Sequence, residues 1–82
     1  MRIDKFLNAT NITKRRAIAQ DMLKNGVVSL NGVKAKQSKE VKVGDIIEIT
    51  FLNGKIDRFK VLEIPKFKTT PKSEQGRYIE KL

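Results

Sequence analysis

Apolar residues recur along this chain with two periods, and the period changes once. Ile3, Phe6 and Leu7 stand at i, i+3 and i+4, which places them on one face of a short helix with Arg2 and Lys5 off that face. Asn8 to Asn11 is a polar break. Thr13 then stands where an N-cap belongs, ahead of a second helix predicted to run to about Asn25, with Ile18, Ala19, Met22 and Leu23 as its apolar stripe. Asn25-Gly26 supplies the stop, since a left-handed residue closes a helix and glycine adopts that conformation without a Cβ clash.

Past Gly26 the period falls to two. Val27-Val28-Ser29-Leu30 and Val33-Lys34-Ala35 flank Asn31-Gly32, the dipeptide favoured in two-residue type I′ hairpins. Gly44-Asp45 reads as a turn, Ile46 to Leu52 as a strand, Asn53-Gly54 as a second turn and Ile56 to Ile64 as the returning strand. The predicted fold class is α+β, two N-terminal helices packed on a small antiparallel sheet with a C-terminal hairpin. Residues 1–64 form the domain. Residues 65–82, opened by Pro65 and carrying Pro71, Ser73 and Gly76 among lysines, read as a basic, flexible tail whose Tyr78 and Ile79 are able to dock back on the body.

Composition narrows the chemistry. A chain of 82 residues has room for one core. It holds no Cys and no His, which removes disulfides, the usual zinc ligands and every Ser-His or Cys-His nucleophile. An enzyme would have to rest on the carboxylates Glu48, Asp57 and Glu63, and strand alternation makes these ordinary solvent-facing residues. No catalytic residue, metal or cofactor is therefore predicted. No apolar run approaches the roughly 20 residues that span a bilayer, and the first residues are charged, so a cytoplasmic protein with no membrane partner is expected.

The net charge of +9 attracts polyanions, and it is unevenly placed. Residues 1–43 hold ten basic and three acidic side chains, residues 44–64 three and four, and residues 65–82 five and two. Lys14-Arg15-Arg16 follows Thr13 directly, so three cations are predicted in the first turn of the second helix. That placement opposes the helix dipole and makes sense if a phosphate completes it, because free N–H groups and guanidinium forks then converge on one anion. Arg16 ranks first as a phosphate contact and Arg15 second, with Lys14 as longer-range support and Arg2 and Lys5 extending the patch from the first helix.

Asp4 has two readings, a first-turn acid complementing the helix dipole or an ion-pair partner that orients Arg2 or Arg16. Lys34, Lys36, Lys39 and Lys42 surround Gln37 and Ser38 in a second basic group, and strand-edge lysines also discourage aggregation. Asn31 serves the turn first. Phe6, Phe51 and Phe59 read as core or strand residues, so no base-stacking platform is evident and backbone recognition of folded RNA fits better.

Taken in order, Arg2-Ile3-Asp4-Lys5-Phe6-Leu7, Thr13-Lys14-Arg15-Arg16, Asn25-Gly26-Val27-Val28 with Asn31-Gly32, Lys36 and Ser38, and Val41-Lys42-Val43-Gly44-Asp45 resemble an S4 RNA-binding domain over about residues 1 to 50. With only a hairpin and a tail beyond it, the chain is most similar to the stand-alone S4 proteins related to heat shock protein 15, and especially to the Gram-positive ribosome-associated quality-control members. The resemblance implies binding to a stalled 50S ribosomal subunit, with contacts to 23S rRNA and peptidyl-tRNA. It also implies a role in C-terminal tailing of the nascent chain beside a separate elongation factor; a monomer is expected. By position, Arg2 and Arg16 become the central RNA contacts, with Lys5 and Arg15 supporting. Asn11 departs from the arginine that relatives often carry. Two other functions fit the residues: a constitutive rRNA- or tRNA-binding protein without a rescue role, and a protein adaptor acting through the hairpin or tail.

Overall fold

The computed structural model describes residues 1–66 and 70–82. Helix α1 spans Ile3–Ala9 and buries Ile3, Phe6 and Leu7, the three residues its spacing aligns. It stops because Asn11 turns left-handed, with φ 63°, and the Thr10 hydroxyl donates back to the Phe6 carbonyl. Asparagine tolerates that backbone, and its amide donates to the Thr70 carbonyl at 2.9 Å.

Helix α2 spans Arg16–Lys24, and its start corrects the sequence reading. Thr13 is not the N-cap. Its N–H donates to the Leu7 carbonyl, its hydroxyl donates to the Arg15 carbonyl, and it is buried in the connection between the helices. Arg15 occupies the N-cap with extended backbone and no side-chain cap. Lys14 and Arg15 therefore precede the helix, and only Arg16 of the three cations lies in its first turn. Ala19 and Leu23 of the predicted stripe are buried, Met22 packs against the core, and Ile18 is exposed.

Strands β1 (Val28–Leu30) and β2 (Val33–Lys34) close the predicted hairpin, pairing Leu30 with Val33 across Asn31 and Gly32, both at positive φ as a type I′ turn requires. Asn31 also ties the hairpin to the next strand. Its side chain donates to Asp45 and accepts from the Ile46 N–H. Strands β3 (Ile46–Thr50) and β4 (Ile56–Val61) form the second hairpin. Because β3 ends at Thr50, Phe51 lies in the loop and is exposed, contrary to its predicted place on a strand.

Residues 70–82, read from sequence as part of a flexible tail, fold back onto the sheet. A single 3-10 turn (Lys72–Glu74) leads into the short helix α3 (Gln75–Tyr78) and strand β5 (Ile79–Lys81), which pairs with β4. Tyr78 and Ile79 are buried, and the Thr70 hydroxyl donates to the Ala9 carbonyl at 2.7 Å. The two apolar side chains expected to dock it, together with a sheet ladder to β4, anchor this basic segment. Phe67, Lys68 and Thr69 of the predicted tail lie outside the described residues.

The sheet order is β2-β1-β3-β4-β5, antiparallel throughout. Val28, Leu30, Ile47, Ile49, Val61 and Ile79 meet the apolar faces of α1 and α2 in one core, and the opposite face carries Glu48 ion-paired with Arg58. Among the described residues no helix is long and apolar enough to cross a membrane.

Candidate nucleic-acid interface

The core brings one carboxylate to the base of a cationic surface. Asp4 follows Ile3 on α1 and is 0% exposed. Its Oδ1 accepts the Lys5 N–H at 2.8 Å, and its Oδ2 accepts Arg2 Nη2 at 3.2 Å, Arg16 Nη2 at 3.2 Å and Gln20 Nε2 at 3.3 Å. Both readings of Asp4 meet in this geometry, since it lies in the first turn of α1 and pairs with both arginines.

The guanidinium groups are only half withdrawn from solvent, with Arg2 47% and Arg16 41% exposed. Each Nη2 is 3.2 Å from the same oxygen, so the two lie at most 6.4 Å apart and within reach of a single phosphate. Arg16 Nε is buried and has no hydrogen-bond partner among the described residues. Burial is the largest influence on the Asp4 carboxyl and pushes its pKa up. Hydrogen bonds from Gln20, Arg16 and the Lys5 N–H, with the charge of Arg16, outweigh it and hold the pKa below its ordinary value. The carboxylate is thus ionised and keeps two arginines side by side.

The loop after β2 completes one border of the site. It is tied to the N-terminus by Ile3 N–H donating to the Lys39 carbonyl, Val41 N–H donating to the Met1 carbonyl, and a bridge between Arg2 and Glu40. This pins Lys36, Gln37 and Ser38 beside α2, where with Arg2, Leu23 and Lys24 they line an open groove of about 480 Å³. Gln37 donates to the Gln20 carbonyl at 3.5 Å.

The predicted residues divide by place. Arg2, Arg16 and Asp4 form the cluster, and Lys36 and Ser38 line the groove beside Arg2. Lys5, Lys14 and Arg15 are exposed and make no ion pair among the described residues. Lys34 lies apart, pairing with Ser29 in the sheet and laying its side chain over Gly26. Thr13 and Asn31 serve the backbone as described. Sequence reasoning missed Gln20, Lys24 and Gln37. Arg16, Gln20 and Lys24 recur every four residues along one edge of α2, and that spacing was the available signal.

Helices, sheet and basic loop together define a protein of the S4 class, and the model of the S4 domain matches residues 1–47. The RQC P-site tRNA stabilizing factor of Helicobacter pylori strain J99 is 48% identical over 79 residues, 96% of this chain and 93% of that protein. Its namesake from Streptococcus pneumoniae strain R6 is 41% identical over 78 residues, 95% of this chain and 86% of that protein. Heat Shock Protein 15 of Vibrio cholerae, solved as a trimer, superposes with a TM-score of 0.88 at 27% identity, covering all of this chain and 81% of that one. The chain belongs to the family of RQC P-site tRNA stabilizing factors, S4-domain proteins homologous to heat shock protein 15. The family resemblance carried by motif order is borne out.

Proposed function

We propose that this chain stabilises P-site tRNA on the large ribosomal subunit in ribosome-associated quality control, contacting 23S rRNA and peptidyl-tRNA and so supporting C-terminal tailing of the stalled nascent chain. The carrying observation is the Asp4 cluster, in which a buried carboxylate fixes two half-exposed guanidinium groups within reach of one phosphate. Fixed cations bind with less ordering cost than free ones, so the surface acts as a clamp and performs no covalent step. The names of the relatives support the choice of P-site tRNA.

Arg2 and Arg16 are the central contacts. Lys5 extends the field along α1 and Arg15 and Lys14 extend it at the start of α2, Lys36 and Ser38 hold backbone along the groove, and Lys34 contributes at longer range. Thr13, Asn31 and Asp4 support this surface from below. The protein works as a cytoplasmic monomer beside a separate elongation factor on the same subunit. Arg16→Ala is expected to weaken binding to 50S subunits bearing peptidyl-tRNA by about 1 to 3 kcal/mol and to reduce the salt slope by roughly one ion. Co-sedimentation across a salt series measures both, and wild-type binding by this variant removes the clamp.

A further inference from the structure

The loop that borders the clamp has a second side. There Leu30 and Ala35, both nearly buried, and Val33, 70% exposed on a strand of only two residues, make an apolar hollow of about 600 Å³. Lys34, Lys36 and Lys39 stand at its rim, opposed by Glu40, which the N-terminal amine pairs at 3.3 Å. An apolar floor suits a flat uncharged group and a cationic rim suits an anion. A nucleotide carries both, and few polar groups around an apolar hollow are the ordinary composition of a small-ligand site.

RNA is favoured over an acidic peptide because this hollow is continuous with the clamp's own border. Lys36 and Ser38 line both the hollow and the groove that holds Arg2 and Lys24. A strand whose backbone crosses the clamp passes over this loop and reaches the rim next. We propose that the hollow receives the base of one unpaired nucleotide of the bound RNA, with the flanking phosphates on Lys36 and Lys39; the proposal rests on the clamp reading. Asn31, which also lines the hollow, is held in place by Asp45 and the Ile46 N–H and serves the turn first. With no aromatic ring in the lining, apolar contact holds the base, so discrimination among the four bases is weak.

The test titrates the full chain with an RNA stem carrying one bulged nucleotide and with the same stem made abasic at the bulge, read by fluorescence anisotropy. Wild type should bind the base-bearing probe about fivefold or more tightly than the abasic one, as expected for burying a few tens of Å² of apolar surface. Val33→Lys adds a cation at an exposed position and should nevertheless bind the base-bearing probe more weakly and lose the preference. Val33→Ala, which adds no charge, should lose part of it. Equal binding of the two probes by wild type, or tighter binding of the base-bearing probe by Val33→Lys, overturns the hollow. Arg16→Ala should weaken both probes by the same factor, and its failure to do so removes the clamp reading instead.

Discussion

Replacing Asp4 by asparagine keeps the shape of the side chain and removes the charge on which four donors converge. The remaining carbonyl oxygen can satisfy the Lys5 N–H or Gln20, but the new amide turns a donor toward two guanidinium groups. Hydrogen bonds to charged groups contribute roughly 1.5–3 kcal/mol each, whereas half-exposed arginines act closer to the ~1 kcal/mol of surface pairs. Asparagine also costs less to bury than a carboxylate, which offsets part of the loss. A net destabilisation of about 2 kcal/mol follows, or about 8–16 °C in melting temperature for a domain of this size. Urea unfolding should show a lower midpoint at unchanged slope. The pH dependence gives an independent check. Folding lowers the Asp4 pKa, so its stabilisation is complete above the ordinary value of 3.8 and is lost as pH falls through the lower folded value. Wild type should lose this part in acid and Asp4→Asn should lack it. A variant with the wild-type urea midpoint at neutral pH refutes the reasoning.

Gln20→Leu removes a donor that orients Asp4 but touches no phosphate in the clamp, so RNA affinity should drop about threefold while the salt slope stays at its wild-type value. A slope reduced by a full ion would make Gln20 a direct contact. Gly26→Ala forces a Cβ onto φ +73°, where the nearest side-chain atoms stand at an ordinary 3.5 Å, so backbone strain alone should cost about 1 kcal/mol in urea unfolding. Added salt should raise the melting temperature of the free chain by screening its +9 self-repulsion while weakening its RNA complex, and calorimetry with and without RNA reads the two signs.

Local signals were readable in the sequence and tertiary ones were not. The α1 face, the Asn25-Gly26 stop and the Asn31-Gly32 hairpin are set within a few residues, and each stands as the pattern predicts. The start of α2 was misplaced because Thr13 is claimed by the Leu7 carbonyl and by burial between the helices, which no local cap rule contains. Asp4 stayed ambiguous because its partner Arg16 lies twelve residues away on another helix. Gln20 was passed over because a polar residue bordering an apolar stripe looks solvated. The C-terminal segment was legible in part: its lysines, Pro71 and Gly76 read as loop, whereas Tyr78 and Ile79, the two residues able to dock it back, do fasten it to β4. Deleting residues 66–82 would therefore remove part of the core, so loss of a partner by that variant would not distinguish an adaptor from a clamp.

The arrangement around Asp4 also explains why a helix begins with arginines instead of an acid. An N-terminus with no side-chain cap and Arg16 in its first turn is locally unfavourable. The missing anion arrives from α1, across the core, and stabilises the start of α2 only in part. One carboxylate serves two guanidinium groups, and Lys5, Lys14 and Arg15 beside them have no acidic partner among the described residues. A second internal acid would satisfy the patch and abolish its affinity; no acid at all would leave the arginines mobile and α2 strained. A single buried carboxylate is the intermediate case, holding the cations in place while leaving most of their charge for a phosphate to neutralise.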